Sequence, residues 1–443
     1  MATKQLAEDA PSTPPATVVP LPPRTLRSRG IELRNGLTRG FEALRIRNYR
    51  LYWIGQLVSL TGTWMQTTAQ AWLVLKLTSS PFALGLVTTL QFLPIMLLSL
   101  FGGAIADRLP KYRLVLAMQA AALIQAAIFG TLVATGTIQL WHVYVLAALL
   151  GTISAVDNPT RQAFAIELVD RKTLVNAIAL NSMQFNLARI LGPALAGIII
   201  AQIGIAPAIY LNAISFVAVI VGLLMMNRAE FRAAPQRSRD PIWRGVVEGL
   251  DYTVHTRQIL LVMIVVAAIG TFGYNFSVVL PLLAGFVLHT GAAGFGALSA
   301  FLGIGSLLAA LTIAFASNVS IRRLLLGSTA FGILLGAVAV TPVFGLSAAF
   351  LAALGFAGII FATSANTLLQ LMVPDALRGR VMSIYILLFA GSTPIGGFLI
   401  GSLSSVVGVP PTLLLCAALC LIGVLIAYLY QRRPVAASSI SGA

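Results

Sequence analysis

The sequence predicts an all-α integral membrane protein in which twelve transmembrane helices form two pseudo-symmetric six-helix bundles. Its composition, the spacing of its apolar stretches and the placement of its basic residues each support this fold class. Of the 443 residues, 58% are hydrophobic and 9% are charged, whereas soluble domains carry about 25% charged residues. A chain with this length and composition is predicted to cross a membrane many times.

Twelve apolar stretches follow one another, each near or above the roughly 20 residues that span a bilayer as a helix. They cover about 51–76, 81–106, 113–135, 141–166, 174–202, 205–226, 257–288, 293–316, 322–342, 344–371, 377–406 and 410–430. We number them as predicted spans 1 to 12. An even number of spans leaves both termini on the same side of the membrane.

The polar segments divide the chain into five predicted regions. Residues 1–45 are basic and Pro-rich, so they are expected to form a disordered cytoplasmic tail. The other regions are a first bundle at 46–226, a cytoplasmic linker at 227–256, a second bundle at 257–430 and a tail at 431–443.

Basic residues lie almost entirely on one side of this topology. All of the 29 lysines and arginines except Lys76 and Arg189 fall on the side of the termini. The positive-inside rule therefore predicts cytoplasmic termini, and the composition suits a bacterial inner membrane. The net charge of +16 does not indicate nucleic-acid binding, because the cations lie between spans rather than on one soluble face.

A charged hinge between predicted spans 2 and 3 carries the most specific signal. It contains, in order, Gly103, Asp107, Arg108, Lys111 and Arg113. Charges at the edge of a bilayer are costly without partners, and an anchor that merely holds a helix end needs cations but no carboxylate. The hinge resembles the loop between helices 2 and 3 of major facilitator superfamily transporters, although Pro110 replaces the usual glycine.

This resemblance implies a gate. In the superfamily, the equivalent of Asp107 faces the start of helix 11, here near 376–381, where the positive end of the helix dipole attracts a carboxylate. A cation of the hinge also pairs with an acid at the inner end of helix 4, and Lys111 and Glu167 match those positions. Static anchoring without switching is the alternative.

Three stretches resemble an efflux branch of the superfamily that includes the enterobactin exporter, macrolide efflux proteins and a lysophospholipid transporter. They are residues 41–50, 188–193 and 369–381. Predicted span 5 also carries Gly192, Pro193 and Gly197, which resemble a helix 5 antiporter motif that marks exporters more often than importers. On physical grounds, this motif bends the helix and permits close packing. Residues 393–397 echo it about 200 residues later, as expected for duplicated halves.

Three charged residues within the spans are candidates for proton transfer or ion pairing. Asp157 and Arg161 lie four residues apart on predicted span 4, so they are able to pair on one face. Asp157 is either a proton site or the acid of an ordinary ion pair. Arg189 lies deep in predicted span 5, where a charge costs at least about 2.5–3.5 kcal/mol. It is expected to bind an anionic group of a substrate, to pair with the helix 4 acid or to hydrogen-bond backbone carbonyls.

Polar and aromatic residues in the middle of several spans predict a substrate cavity. In the superfamily such cavities are lined chiefly by helices 1, 4, 7 and 10. Amides without acids favour a large amphipathic or neutral cargo over a small cation, although each residue is equally suited to an interhelical hydrogen bond. The predicted cavity residues are Gln66, Gln70, Trp72, Gln91, Asn181, Tyr274, Asn275, Asn366 and Gln370.

Together these features predict a secondary active transporter that exports drug-like or siderophore-like amphipathic small molecules by alternating access, as a proton antiporter. A lysophospholipid transporter and a non-transporting membrane receptor are the alternatives. The spans contain no cluster of histidines, cysteines and acids, and the chain has no ATP-binding glycine-rich loop, so no enzyme, metal or cofactor is predicted. The expected partners are the substrate, protons and membrane lipid, and the expected state is a monomer.

Overall fold

A computed structural model describes residues 41–232, 242–314 and 319–432. These residues are almost entirely helical and contain no strand, which confirms the predicted all-α fold class. By its internal contacts the chain divides into Met1–Glu42 and Ala43–Ala443, so both helical bundles belong to one compact unit. Most of the two predicted tails and the middle of the predicted linker lie outside the described residues.

The first bundle contains six helices in the predicted order. They are α1 (Arg47–Thr78), α2 (Pro81–Arg108), α3 (Lys111–Ala134), α4 (Leu140–Glu167), α5 (Leu174–Gln202) and α6 (Ile205–Leu224). α1 packs along α5 and α6, and α2 packs along α4.

An amphipathic linker helix, Ile242–His255, precedes the second bundle. α7 follows it as a segmented span from Arg257 to Val287. The remaining helices are α8 (Gly291–Ala314), α9 (Ile321–Val340), α10 (Phe344–Met372), α11 (Asp375–Phe389 and Thr393–Val407) and α12 (Val409–Arg432).

Two spans predicted as single helices are irregular. α7 has a widened turn at Ile269–Gly273. α11 is broken between its two segments, and Pro394 lies in the first turn of the second segment, where its missing N–H group costs no hydrogen bond. The irregular segments pack together, because a Cβ on Gly270 of α7 would lie 2.8 Å from the carbonyl oxygen of Leu388 of α11.

Eleven spans among the described residues are long and apolar enough to cross a membrane. Predicted span 1, which forms α1, is not among these eleven. It has 32 residues, but its polar side chains lower its hydropathy. These side chains pack within the bundle. Gln66, for example, is fully buried and hydrogen-bonds to Gln125 of α3 and Asn212 of α6. α1 is therefore a helix whose polar side chains are largely buried within its own bundle.

The helix connections define two ends of the molecule. We call the end that carries Arg108, Lys111, Arg228 and Arg380 the basic end. The opposite end, which joins α1 to α2, α5 to α6 and α7 to α8, we call the neutral end.

At the neutral end the two bundles meet through glycines. Where α2 crosses α11, a Cβ on Gly85 would lie 2.6 Å from the carbonyl oxygen of Gly397 and 2.8 Å from the Cα of Gly401. Where α5 crosses α8, a Cβ on Gly197 would lie 2.9 Å from the Cα of Gly296. Because no side chain separates these helices, backbone packs directly on backbone and closes the neutral end.

The same glycines reveal the internal repeat in the folded chain. Gly192 of α5 packs on the backbone of α1, and Gly396 of α11 packs in the same way on α7. One turn further along, Gly197 and Gly401 make the two contacts that join the bundles. The two halves therefore repeat both contacts, as duplication predicts.

The hydrophobic core follows the same division. One continuous buried cluster extends from the neutral-end half of the first bundle, at residues such as Leu84, into the second bundle, at residues such as Leu298 and Ile400. A separate cluster at the basic end, which includes Tyr49 and Phe164, belongs to the first bundle alone. The bundles thus share a core at the neutral end and separate toward the basic end.

Replacing Gly197 by leucine is expected to separate α5 from α8, because the added side chain overlaps the backbone at Gly296. Overpacking of this kind costs about 1–3 kcal/mol. Spin labels on cysteines at Gln202 and Ala293, with the two native cysteines replaced by alanine, measure the separation. The distance distribution should lengthen and broaden relative to Gly345→Leu, a control at a glycine with open space around it. Equal distributions for both variants would show that glycine does not hold this end closed.

Candidate functional site

A cavity lies where the bundles meet, on the basic side of the glycine contacts. α1 and α5 of the first bundle and α7 and α8 of the second bundle form its walls. Aromatic and aliphatic side chains dominate the lining, together with several hydroxyls and one charge. The lining residues are Trp64, Thr67, Thr68, Arg189, Pro193, Phe276, Ser277, Leu280, Phe295, Ser299, Leu302 and Gly303.

Arg189 supplies the charge in this cavity, from the middle of α5. Its guanidinium carbon lies 5.6 Å from the centroid of the Tyr274 ring on α7, so a cation meets an aromatic face across the two bundles. Within the described residues, no carboxylate oxygen lies within 4.0 Å of the guanidinium and no hydrogen bond engages it. The structure therefore does not bring Arg189 to the acid of helix 4, and no backbone carbonyl of a described residue accepts from it.

Asp157, the acid of helix 4, instead belongs to a buried polar cluster inside the first bundle. Its Oδ2 lies 2.9 Å from Nε of Arg161, and Gln119 of α3 donates to both carboxylate oxygens at 3.2 Å. Arg161 also donates to Oε1 of Gln56 at 2.7 Å and to Oδ1 of Asn158 at 2.8 Å. The ion pair lies within α4, and its hydrogen bonds with Gln119 and Gln56 join it to α3 and α1.

Two buried amide atoms in this cluster have no partner among the described residues. They are Oε1 of Gln119 and Nε2 of Gln56, although buried polar atoms are usually hydrogen-bonded. A turn of the Gln119 amide exchanges its donor for its acceptor. The same side chain is therefore able to donate to an ionised Asp157 or to accept from a protonated one.

The hinge between α2 and α3 contains one ion pair. Nζ of Lys111 lies 3.0 Å from Oε1 of Glu167, and the two side chains are 14% and 15% exposed. This contact joins the basic ends of α3 and α4. Arg108 and Arg113 are exposed and have no ion-pair partner in the described part of the chain.

Asp107 does not meet the start of α11 in this structure. It is exposed, and a Cβ on the neighbouring Gly103 would find no atom within 4 Å. The first segment of α11 instead packs on the linker helix, where Arg380 pairs with Glu248. Glu248 is not among the predicted site residues, although apolar residues every three to four positions in 247–254 indicate the helix that carries it.

Several amides that the sequence assigns to the cavity lie between helices of one bundle instead. Gln66 and Asn275 are fully buried, and Gln70 is 2% exposed. Nε2 of Gln70 donates to Oε1 of Gln91 at 2.8 Å, and Nδ2 of Asn275 donates to the carbonyl oxygen of Thr271 at 2.7 Å. This corrects the expectation for Gln66, Gln70 and Asn275. The two glutamines pair with amides of neighbouring helices in their own bundle, and Asn275 donates to the backbone of its own helix.

The other predicted cavity residues occupy different places. Tyr274 reaches the cavity through its contact with the arginine. Trp72 is half-buried against α7, and Asn181 accepts a hydrogen bond from a tyrosine of α1 at 2.9 Å. Asn366 and Gln370 hydrogen-bond to each other on α10, and Gln370 is exposed near the basic end.

The helix 5 motif marks contacts with both bundles. Gly192 packs against the backbone of α1 in its own bundle, where a Cβ would lie 2.8 Å from the carbonyl oxygen of Thr61. Gly197 packs against α8 of the other bundle. Pro193 lies between them and lines the cavity. The motif therefore sets how closely α5 approaches both neighbours.

Asp170 organises the connection from α4 into α5 at the basic end. Its Oδ1 accepts hydrogen bonds from the backbone N–H of Thr173 at 2.9 Å and from the Thr173 hydroxyl at 2.6 Å. These hydrogen bonds stabilise the carboxylate and lower the pKa of Asp170 below its ordinary value. The turn therefore holds an ionised acid at neutral pH.

Comparison with known proteins identifies relatives along nearly the whole chain. A family model described as transmembrane secretion effector matches residues 38–442. The staphyloferrin A transporter of Staphylococcus aureus is 28% identical over 79% of this chain and 88% of its own. The multidrug efflux pump Tap of Mycolicibacterium fortuitum is 28% identical over 84% and 93%. The enterobactin exporter EntS of Citrobacter koseri is 23% identical over 81% and 85%.

Solved structures share the fold at low identity. A bacterial homologue of the human lysosomal transporter Spinster, in an inward-facing and unoccupied conformation, has a TM-score of 0.70 and 12% identity, covering 87% of this chain and 97% of that one. The nucleoside transporter NupG has a TM-score of 0.67 and 14% identity, covering 87% and 100%. The chain is a multi-pass membrane transporter rather than an enzyme. It belongs to the transmembrane secretion effector family of the major facilitator superfamily.

Proposed function

We propose that the chain exports amphipathic small molecules by alternating access, in exchange for protons. The observation that carries this proposal is the asymmetric packing of the bundles, which share glycine contacts and a core at the neutral end and separate toward the basic end. A cavity with one charge lies between them. Rocking one bundle against the other about this cavity would open it to one side at a time.

Export is the direction that the relatives and the helix 5 motif support. A multidrug efflux pump and an enterobactin exporter are among the relatives. The cations of the basic end favour a cytoplasmic location for that end and hence for both termini, by the positive-inside rule. In an inner membrane, a cavity on the basic side of the closed glycine contacts would take up cargo from the cytoplasm.

The hinge is proposed to control closure of the basic end. The Lys111–Glu167 ion pair joins α3 to α4, so the hinge moves with the first bundle as one body. Closure would bring Asp107 to the start of α11, where the positive end of the helix dipole stabilises a carboxylate. The exposed position of Asp107 is then a property of the open state.

Asp157 is the proposed proton site. It is 6% exposed and lies far from either end of α4. Protonation would abolish its ion pair with Arg161, and Gln119 is placed to accept a hydrogen bond from the resulting carboxylic acid. Arg161 would keep its hydrogen bonds to Gln56 and Asn158. Both protonation states therefore have partners, which a proton-coupled step requires.

The first test compares the accumulation of fluorescent amphipathic dyes and macrolides in efflux-deficient cells. Cells with the wild-type protein should accumulate less than cells without it, and a protonophore, Asp107→Asn or Arg189→Ala should abolish the difference. The protonophore removes the driving force, Asp107→Asn removes the gate charge and Arg189→Ala removes the cation of the cavity. If the wild-type protein changes accumulation of no compound, drug export is contradicted, and lysophospholipid transport becomes the function to assay.

Asp157→Asn separates proton coupling from transport itself. The neutral side chain mimics the protonated acid, so the variant should still exchange substrate in proteoliposomes but should lose at least about tenfold in accumulation driven by a pH gradient. Asp251→Asn is the matched control, because Asp251 is a 72% exposed acid on the linker helix. Gradient-driven accumulation by Asp157→Asn equal to that of the control would exclude Asp157 as the proton site.

Charge exchange tests the contact between α3 and α4. Lys111→Glu and Glu167→Lys should each lower the initial transport rate, since each places like charges at a 3.0 Å contact. The double variant restores an opposite pair, and a coupling free energy of about 1 kcal/mol is expected in the double-mutant cycle. Additive effects of the two substitutions would show that the pair is incidental to transport.

A further inference from the structure

The geometry points to an anionic cargo. We infer that the cavity binds amphipathic molecules that carry a carboxylate or a similar anionic group, with Arg189 as the anion contact and the aromatic wall as the surface for the apolar body. This inference rests on the proposed function, because a bound molecule is a cargo only if the protein transports it. The binding site itself is argued from the charge and the walls of the cavity.

The charge of Arg189 lacks a counterion among the residues that the structure describes. Asp157, the one acid in the interior of a described span, is already bound to Arg161 and Gln119. The other described acids lie at helix ends, in connections or on the linker helix. A cation in the middle of a membrane span is costly unless it meets an anion or water. The anion that this site lacks is therefore expected to arrive with the ligand.

The guanidinium is also poised to bind an anion. Arginine carries five N–H donors in a planar fork that matches a carboxylate. The Tyr274 ring contacts this guanidinium at 5.6 Å, yet no donor is used in a hydrogen bond to a described residue. An arginine with a purely structural role would instead donate to backbone carbonyls of the bundle. Tyr274 is itself packed against Phe331 and Phe389, which fixes its ring.

The lining residues favour an apolar body and include no acid that would pair with a cation. Trp64, Phe276 and Phe295 contribute aromatic surface. The hydroxyls of Thr68 and Ser299 donate to carbonyl oxygens of their own helices, at 3.0 Å and 2.9 Å. A cationic amphipath would meet the repulsion of Arg189 without a compensating acid. The site should therefore select anions over neutral molecules and neutral molecules over cations.

The position of the site links binding to the transport cycle. Arg189 lies two turns, or about 12 Å, from Gly197, where the bundles touch. Its guanidinium belongs to the first bundle, whereas Tyr274 and Phe276 belong to the second. A molecule held by both touches both moving bodies, so its binding energy depends on how they are arranged.

The test measures binding of three pyrene amphipaths that share one aromatic body. They are pyrenebutyrate, pyrenebutanol and a pyrenebutyl trimethylammonium salt. Energy transfer from tryptophan to pyrene reports binding to the full chain in nanodiscs, since Trp64 lines the cavity, and empty nanodiscs correct for partition into lipid. Pyrenebutyrate should bind most tightly and the trimethylammonium salt least.

Matched variants assign the preference to one side chain. Arg189→Gln should weaken pyrenebutyrate binding by about tenfold or more, as expected for loss of hydrogen bonds to a charged group, and should leave pyrenebutanol nearly unchanged. Arg189→Lys should retain part of the preference for the anion. Lys76→Gln, which removes an exposed cation at the neutral end of α1, should behave as wild type.

The outcomes separate this inference from the proposed function. Equal affinity of the wild-type protein for all three probes, or an unchanged anion preference in Arg189→Gln, overturns the anion site. If Arg189→Gln does not fold, the probe series on the wild-type protein and on Arg189→Lys still measures whether the site prefers anions. Binding is measured without a gradient. Anion binding by a protein that exports nothing would therefore support the anion site and contradict export. Export without an anion preference would support export and contradict the anion site.

Discussion

Close backbone contact between the two bundles at the neutral end is the constraint on which the rest of the structure depends. Gly85 meets Gly397 and Gly401, and Gly197 meets Gly296, at distances that no side chain permits. Within a bilayer, the burial of apolar surface provides little driving force for helix association. Close packing between small residues therefore determines which helices associate. These contacts draw the neutral-end half of the first bundle into one core with the second bundle. They leave the basic-end half of the first bundle with a core of its own.

The polar groups follow this division. The Asp157–Arg161 cluster and the Lys111–Glu167 pair lie within the first bundle, so they stiffen it without linking it to the second. Arg189 lies at the boundary between the bundles, and no acid of either bundle's described residues pairs with it. The described charges within the first bundle are thus paired internally, whereas the charge between the bundles is the one proposed to bind a ligand. The proposed proton site and gate thus lie within the first bundle, and the proposed cargo site lies between the two bundles.

The order of the helical spans was predictable because hydropathy is a local property of the sequence, on which the membrane acts directly. Asp157 with Arg161 was predictable from helical spacing, and Lys111 with Glu167 from resemblance to a family. The hydrogen-bond partners of the amides were not predictable. A glutamine in a span indicates only that its side chain avoids lipid, and its partner lies on another helix that the local sequence does not identify. Gly85 and the lining aromatics Trp64 and Phe295 carry no local signal that separates a contact between bundles from ordinary packing. The break in α11 likewise depends on its packing against α7.

Alternating access requires the two ends of the molecule to open in turn, and spin-label distances across each end, in a protein whose two native cysteines are replaced by alanine, would report this motion. One pair, at Gln202 and Ala293, crosses the neutral end, and a second pair, at Leu109 and Gly379, crosses the basic end. Both distance distributions would be recorded in nanodiscs across a pH titration. If the ends open alternately, a population with a longer neutral-end distance should appear together with a shorter basic-end distance. Distances that stay fixed at every pH, or that lengthen together, would contradict it.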